Sequence, residues 1–502
     1  MELIIEPLTK EHLEKRINDL FELESDWTRV GETSWNHESF NLELPGKWEL
    51  SLFASLDQKI VGYAIASYEG NIARLNKLVV DNNFRRMGIA TRLWESILKK
   101  CREIGAHSLE FKVLMDNYSA IEFYKNKKCI INGTSQGTDG KDRHNVRYVF
   151  KTEIIRHSRP TIEEDDAKAV YDILKSGNIN TKEIVSEFTG KFTNFVGKRF
   201  GAATNSGTSA LYLALRVLDI SEGDEVIIPS YVCESVLNAV TYSKATPVIA
   251  DINPDYNLSF EDTQKKINPK TKAIILPHMF GSPSSETEEF VKLGIPIIED
   301  CATSVGAEHN NQKVGSFGNI SIFSFYATKV ITTGMGGMLA TDDPDVTERV
   351  NDLLKHDNRT ELGENYNYGM NDVQAALGIT QLNKIDYFID KRKEIAEIYG
   401  LLLKDSKFSL PNNSENIFFR YIIKTDNAEK LIENLRSRGI EASRPVFIPL
   451  HRYLKLPDLD FPNTVSAYNE SVSIPIYPTM TKQEIYDTVG IMLNSESNGG
   501  LE

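Results

Sequence analysis

From residue 154 onward the chain repeats one unit. A short, largely apolar run rich in β-branched residues ends on a polar residue, and a helical pattern follows. Glu225 to Pro229 leads into Ser230 and Tyr231, Pro247 to Ala250 ends at Asp251, Ala273 to Leu276 ends before His278, and Ile295 to Ile298 ends at Glu299 and Asp300. Runs without polar alternation belong to strands covered on both faces, and the intervening helices supply the cover. This half is therefore α/β, with a largely parallel sheet between helices, and ligand groups are expected beyond the carboxyl ends of its strands.

Two further stretches sharpen that expectation. Ser321 to Phe325 is followed by Tyr326-Ala327-Thr328-Lys329 and a glycine-rich turn, Val330 to Gly337. A lysine at a strand end, beside a backbone that must bend sharply, suits Schiff-base chemistry. Upstream, the strand Phe200 to Thr204 runs into Asn205-Ser206-Gly207-Thr208-Ser209, which opens an apolar helix. Small and hydroxyl residues there let backbone N–H groups receive a phosphate. The strand-end acid Asp300 can keep a pyridine nitrogen protonated and so make the ring an electron sink, and Tyr231 can stack on that ring. Singly, Asp300 and Ser209 read as helix caps and Tyr231 as core. In this order they compose a pyridoxal-phosphate site.

Over nearly its whole length this half resembles the DegT/DnrJ/StrS-type sugar aminotransferases. The resemblance rests on Gly207-Thr208-Ser209-Ala210-Leu211, Tyr231, Asp300 in Glu299-Asp300-Cys301-Ala302, Ser324 ahead of Lys329, Asn367 in Tyr366-Asn367-Tyr368-Gly369-Met370, Gln374 to Gly378, and Ser473 to Pro478. It implies a fold-type I enzyme with a large part at about 154–385 and a small α/β part at about 386–502. Lys329 would be its Schiff-base lysine, Asp300 would pair with the pyridine nitrogen, and Tyr231 would lie on the ring face. Gly207, Thr208, Ser209 and Ser324 would hold the phosphate. Asn367 would reach the phosphate of a partner subunit, hence a homodimer. Thr303 stands near the cofactor's phenolic oxygen, where the family often has Gln, and Gly369 stands where it often has Arg. The family's dehydratase branch lacks the lysine, so transamination of a keto-deoxy nucleotide sugar is implied, with glutamate as amino donor.

The first 153 residues follow a different pattern. Ser51 to Ser67 reads as a hairpin around Asp57-Gln58, Ile72 to Val80 as a third strand, and Thr91 to about Ile104 as an amphipathic helix. Between strand and helix, Arg85-Arg86-Met87-Gly88-Ile89-Ala90 sets two cations and small residues where unpaired N–H groups point at a phosphate. Ser108 to Leu114 reads as another strand, and Asn117 opens a helix with Ala120 and Tyr124 on one face. On its own, Tyr124 reads as a core aromatic. The segment is similar to the GNAT-type N-acetyltransferases, whose Arg/Gln-x-x-Gly-x-Gly/Ala signature fits Arg85, Gly88 and Ala90 and whose Asn-x-x-Ala-x-x-x-Tyr pattern fits Asn117, Ala120 and Tyr124. The resemblance implies acetyl-CoA, with its pyrophosphate on Arg85, Arg86, Gly88, Ile89 and Ala90 and its pantetheine arm along Leu78 and Val80. Tyr124 would protonate the departing thiolate. Lys128-Cys129 stands where the family usually has Gly-Phe. The motif assigns no general base; Glu69 is a candidate that reads more simply as a solvated turn residue.

Lys151 to Arg159 is a short, polar-basic joint, and Thr161 and Glu164 have capping-box spacing just beyond it, so we place a domain boundary between 1–153 and 154–502. The net charge of −14 disfavours a nucleic-acid partner. No apolar run reaches the roughly 18 residues of a membrane span, and the N-terminus lacks the basic and long apolar regions of a signal peptide. Cys101, Cys129, Cys233 and Cys301 are far apart, which indicates neither a zinc site nor a disulfide framework and fits a cytoplasmic setting. The whole reads as a bifunctional enzyme that transaminates a nucleotide sugar and then N-acetylates it. Two other uses of the first domain stay open: acetylation of an unrelated amine, or CoA binding as a regulatory module.

Overall fold

The computed structural model describes residues 3–25, 34–137, 139–150, 154–180, 182–355 and 363–497. It divides into two compact units, Met1–Glu153 and Ile154–Glu502. Residues 151–153 of the joint lie outside the described residues.

Among its described residues the first unit holds seven strands: β1 Leu3–Pro7, β2 Leu52–Leu56, β3 Lys59–Glu69, β4 Ile72–Val80, β5 Ser108–Leu114, β6 Ile130–Gln136 and β7 Asp142–Val149. Their order is β1-β2-β3-β4-β5-β7-β6. The β2–β3 hairpin turns through Asp57 and Gln58, both with positive φ. Within the sheet only β4 and β5 run parallel, and they pair only from Ile72 opposite Ser108 to Arg74 opposite Glu110. Just beyond, Asn76 is an extra residue in β4, between Leu75 opposite Ala66 and Lys77 opposite Ile65. Such a bulge bends and twists its strand. The parted seam between β4 and β5 is what makes room for a ligand. The helix Ile89–Glu103 buries Leu93, Trp94 and Ile97 on one sheet face, and Lys10–Ser25 buries Leu13 and Leu20 on the other. The first of these helices starts two residues earlier than the apolar pattern indicates, because Gly88 caps it at φ 81. Lys128 stands in the left-handed region at φ 62, a conformation that glycine adopts without steric cost.

The second unit holds β8 Phe200–Thr204, β9 Glu225–Pro229, β10 Thr246–Ala250, β11 Thr271–Pro277, β12 Ile297–Asp300, a small hairpin of β13 Glu308–His309 and β14 Gln312–Lys313, β15 Ile320–Ser324 and β16 Gly337–Thr341. The main sheet runs β10-β9-β11-β12-β15-β16-β8. Every pairing is parallel except those that β16 makes with β15 and β8. The apolar helix Gly207–Val217 buries Leu211, Leu213 and Leu215 in the principal core. Phe188, Phe192, Phe323 and Phe325 form a separate aromatic core. A further cluster runs from Ile395 to Met492 around the pair β17 Tyr421–Lys424 and β18 Ser471–Ile474. Ile155 belongs to that cluster, since its N–H and carbonyl bond Gly439 and Glu441. Ile155, within the joint, therefore packs with the C-terminal part, not with the large part it precedes. The capping box of the helix Glu164–Ser176 is formed by Glu163 and Asp166, two residues beyond the expected Thr161 and Glu164.

Candidate active sites

In the second unit a cavity of about 270 Å³ lies at the carboxyl ends of β12 and β15. Lys329, Asp300, Ser324, Gly207 and Thr208 line it, with Ser206, Cys233, Tyr326 and Gly336. Lys329 follows a tight turn closed by its own N–H to the Tyr326 carbonyl at 2.9 Å. Its ammonium stands 5.3 Å from the centre of the Phe419 ring. Burial lowers its pKa, against Cys233 and Asp300 which raise it, so a neutral amine is within easier reach than for an exposed lysine. Asp300 is 7% exposed. One of its oxygens accepts the Ala302 N–H at 3.0 Å, and the other has no hydrogen-bond partner among the described residues. Burial raises its pKa, more than the Ala302 N–H and Lys329 lower it. A buried acid with one idle oxygen suits a cationic N–H ligand, and the pyridinium of pyridoxal phosphate is such a group.

The phosphate end is equally shaped. Ser206 caps the helix Gly207–Val217. A Cβ at Gly207 would stand 2.8 Å from that of Ser324, and one at Gly337 would stand 2.5 Å from the Ser206 carbonyl. Only glycines let these chain segments close round the helix N-terminus, where N–H groups attract an anion. The residues present thus fit pyridoxal phosphate at both ends.

Three expected contacts fall elsewhere. Tyr231 is fully buried away from the cavity; it stacks on Tyr256 at 6.0 Å, meets Phe280 edge-on, and donates its hydroxyl to the Ala467 carbonyl. The chain turns after Pro229, so the residue that reaches the cavity is Cys233, the N-cap of the next helix. Ser209 lies one turn into its helix, where its hydroxyl bonds back to Asn205 and Ser206, leaving Ser206 to line the cavity. Thr303 donates its hydroxyl to the His278 carbonyl at 3.0 Å and accepts the Phe280 N–H at 3.1 Å, so its proton is already committed. Asn367 runs beside Asn205, whose side chain donates to the Asn367 carbonyl at 3.4 Å, and its own side chain is exposed. The neighbouring Glu299 is an anchor: it accepts the Gly315 and Gly318 N–H groups and bonds His278, all within the core.

In the first unit a cleft of about 410 Å³ opens along the parted strands. Leu78, Val80, Arg85, Arg86, Gly88, Ile89, Ala90, Asn117 and Tyr124 all line it. Gly88 and Ala90 leave the helix start open, and nothing lies within 4 Å of a Cβ built on Gly88. Asn117 caps the next helix through the Ala120 N–H at 3.2 Å. That cap holds the helix carrying Tyr124, whose ring packs 4.3 Å from Phe111 and 5.3 Å from Trp94. A partly apolar cleft ending on a helix start and two arginines fits the arm and pyrophosphate of acetyl-CoA. Glu69 is outside this cleft; its side chain is 74% exposed and pairs with Arg74 at 3.4 Å. A second cavity, of about 730 Å³, shares Leu75, Asn76, Lys77, Phe111 and Lys112 with the cleft.

Comparison with known proteins agrees with this division. The sequence model of the DegT/DnrJ/EryC1/StrS aminotransferase family matches residues 160–493, and that of the GNAT acetyltransferase family matches residues 17–128. A GDP-perosamine synthase from Escherichia coli is 33% identical over 354 residues, covering 65% of this chain and 94% of its own. Spore coat polysaccharide biosynthesis protein SpsC from Bacillus subtilis is 30% identical over 377 residues, covering 68% and 96%. Among solved structures, the aminotransferase PseC from Helicobacter pylori, involved in the biosynthesis of pseudoaminic acid, superposes with a TM-score of 0.63 at 27% identity, over 68% of this chain and 99% of its own.

Proposed function

The chain belongs to the DegT/DnrJ/EryC1/StrS aminotransferase family and carries a GNAT acetyltransferase domain ahead of that part, and from this premise we propose that it aminates a keto-deoxy nucleotide sugar and then acetylates the new amine. The observation that carries the reading is the pairing: one site whose chemistry makes an amine and one whose chemistry consumes an amine, in a single chain. The names of the relatives, GDP-perosamine synthase and a polysaccharide biosynthesis protein, support a nucleotide-linked sugar as substrate and surface glycan as destination. Glutamate is the amino donor of this reading, the cytoplasm its setting, and a homodimer its working form, with Asn367 reaching the partner's phosphate.

When bound, pyridoxal phosphate supplies the electron sink. Lys329 holds it and, as a neutral amine, moves a proton to or from the sugar carbon that bears nitrogen. Asp300 keeps the ring nitrogen protonated. Ser206, Gly207, Thr208 and Ser324 hold the phosphate, with Ser209 stabilising the cap. In the first unit Arg85, Arg86, Gly88, Ile89 and Ala90 hold the pyrophosphate of acetyl-CoA, while Leu78 and Val80 flank its arm. Tyr124 gives its proton to the departing thiolate sulfur. The second cavity takes the acceptor. Arg74, Lys77, Lys112 and Arg143 line it with Glu110 and Asp139; Arg74, Lys77 and Arg143 are paired with Glu69, Glu24 and Asp139.

The test offers acetyl-CoA with amino-deoxy sugars linked to GDP or UDP, the same sugars without nucleotide, and free amino acids. The reading expects the highest kcat/KM on a nucleotide-linked amine. Preference for an amino acid would show that the first domain serves another acceptor, and CoA binding without any acetyl transfer would make it a regulatory module.

A further inference from the structure

Cys233 is the one cysteine of four that opens into the Lys329 cavity; Cys101 and Cys301 are buried and Cys129 half-buried. It stands at the N-cap of the helix Glu234–Tyr242, with extended backbone and no side-chain cap bond. Two charged groups bear on its thiol. Burial pushes the thiol pKa up, Asp300 adds to that, and Lys329 opposes it. Cys233 acts on Lys329 in return. Asp300 and Lys329 are the groups that address opposite ends of a pyridine ring, one its nitrogen and the other its carbonyl carbon. Cys233 lines the same cavity as both. The buried Asp300 carboxylate, with its idle oxygen in the same cavity, independently marks this as the place of the cationic ring. Tyr231, the aromatic expected on the ring face, is committed to the core.

We propose that Cys233 is the side chain against the face of the bound pyridoxal ring, so that the cofactor and any group attached to this thiol exclude each other. The ring is then held by its ends, and its face meets a small polarizable sulfur in place of an aromatic plane. Occupancy of the aminotransferase site thereby becomes sensitive to alkylating or oxidising agents that reach the thiol of the cofactor-free chain.

The test uses the full chain, freed of cofactor with hydroxylamine and dialysed. N-ethylmaleimide at alkaline pH adds the thiolate sulfur across its carbon–carbon double bond, and the second carbon takes a proton from water, so no group leaves. The cysteine peptides are followed by mass spectrometry in three states: cofactor-free, with inorganic phosphate, and loaded with pyridoxal phosphate. Cys233 is expected to label at least tenfold faster in the free chain than in the loaded one, with phosphate alone leaving the rate within twofold. The labelled chain should no longer develop the visible absorption of lysine-bound cofactor, whereas Cys233→Ser should develop it with or without maleimide treatment. Equal labelling with and without cofactor overturns the proposal. So does protection by phosphate alone, an inert Cys233 in the free chain, or normal cofactor uptake by a fully labelled one.

Discussion

Asp300→Asn separates what a buried acid does for the cofactor from what it does for the fold. The side chain is 7% exposed and makes one hydrogen bond, from the Ala302 N–H at 3.0 Å. Asparagine keeps the shape and can accept the same N–H, but it removes the negative charge. In the cofactor-free chain burial works against that charge, so removing it relieves desolvation while weakening a charge-assisted bond to Ala302. The two effects oppose each other and should leave stability within about 1 kcal/mol. With cofactor bound, the lost contact is a charge-assisted hydrogen bond to the pyridinium, worth about 1.5–3 kcal/mol, or roughly 10- to 150-fold in affinity. Absorbance titration of the free chain with pyridoxal phosphate measures the second effect, and thermal unfolding without cofactor measures the first. Unchanged affinity would refute the placement of the ring nitrogen at Asp300. A large fall in unliganded stability would show that Asp300 is chiefly a structural cap.

Tyr124→Phe keeps the ring against Phe111 and Trp94 and removes only the hydroxyl; steady-state assays should show acetyl-transfer kcat down about 10²- to 10⁴-fold with acetyl-CoA affinity within about twofold. Gly337→Ala would set its Cβ 2.5 Å from the backbone of Ser206, a strain of about 1–3 kcal/mol that the phosphate turn must absorb, so cofactor titration should show an affinity loss of roughly 5- to 150-fold with the circular dichroism of the fold retained. His309 sits 3.0 Å from both Glu288 and Glu415; burial opposes its protonation, but the two carboxylates prevail and raise its pKa above the ordinary 6.5. A raised folded pKa means that the stabilisation is full below 6.5 and is lost as pH rises through the folded value, so His309→Gln should flatten the decline in melting temperature above 6.5 measured by calorimetry.

Much of the architecture was legible because burial leaves a mark on composition. The largely apolar runs Glu225 to Pro229 and Ser321 to Phe325 read as covered strands, and Asp300 at the end of β12 and Lys329 on the turn after β15 reach a shared cavity. Residue type alone could not show which side chain of a turn faces that cavity. Tyr231 and Cys233 lie on the same turn; packing against Tyr256 and Phe280 took the aromatic inward and left the cap position to the thiol. The signal was present in the helical pattern after Cys233, since an N-cap beyond a strand's carboxyl end faces the ligand side. Ser209 was misplaced for a similar reason: a hydroxyl one turn inside a helix bonds back to its cap. The bulge at Asn76 and the commitment of Thr303 to His278 depend on long-range pairing, which no local pattern records.

The central claim, that one chain aminates a nucleotide sugar and acetylates the product, is tested most directly by mass spectrometry of a single reaction. The full chain would receive pyridoxal phosphate, nitrogen-15 glutamate, acetyl-CoA and a panel of 3-keto and 4-keto nucleotide sugars. The account predicts a nucleotide sugar carrying both the heavy nitrogen and an acetyl group, stopping at the labelled amine in Tyr124→Phe and absent in Lys329→Ala. A labelled amine that never gains acetyl from the unaltered chain would contradict consecutive action, and no labelled amine from any ketosugar would contradict the sugar assignment itself.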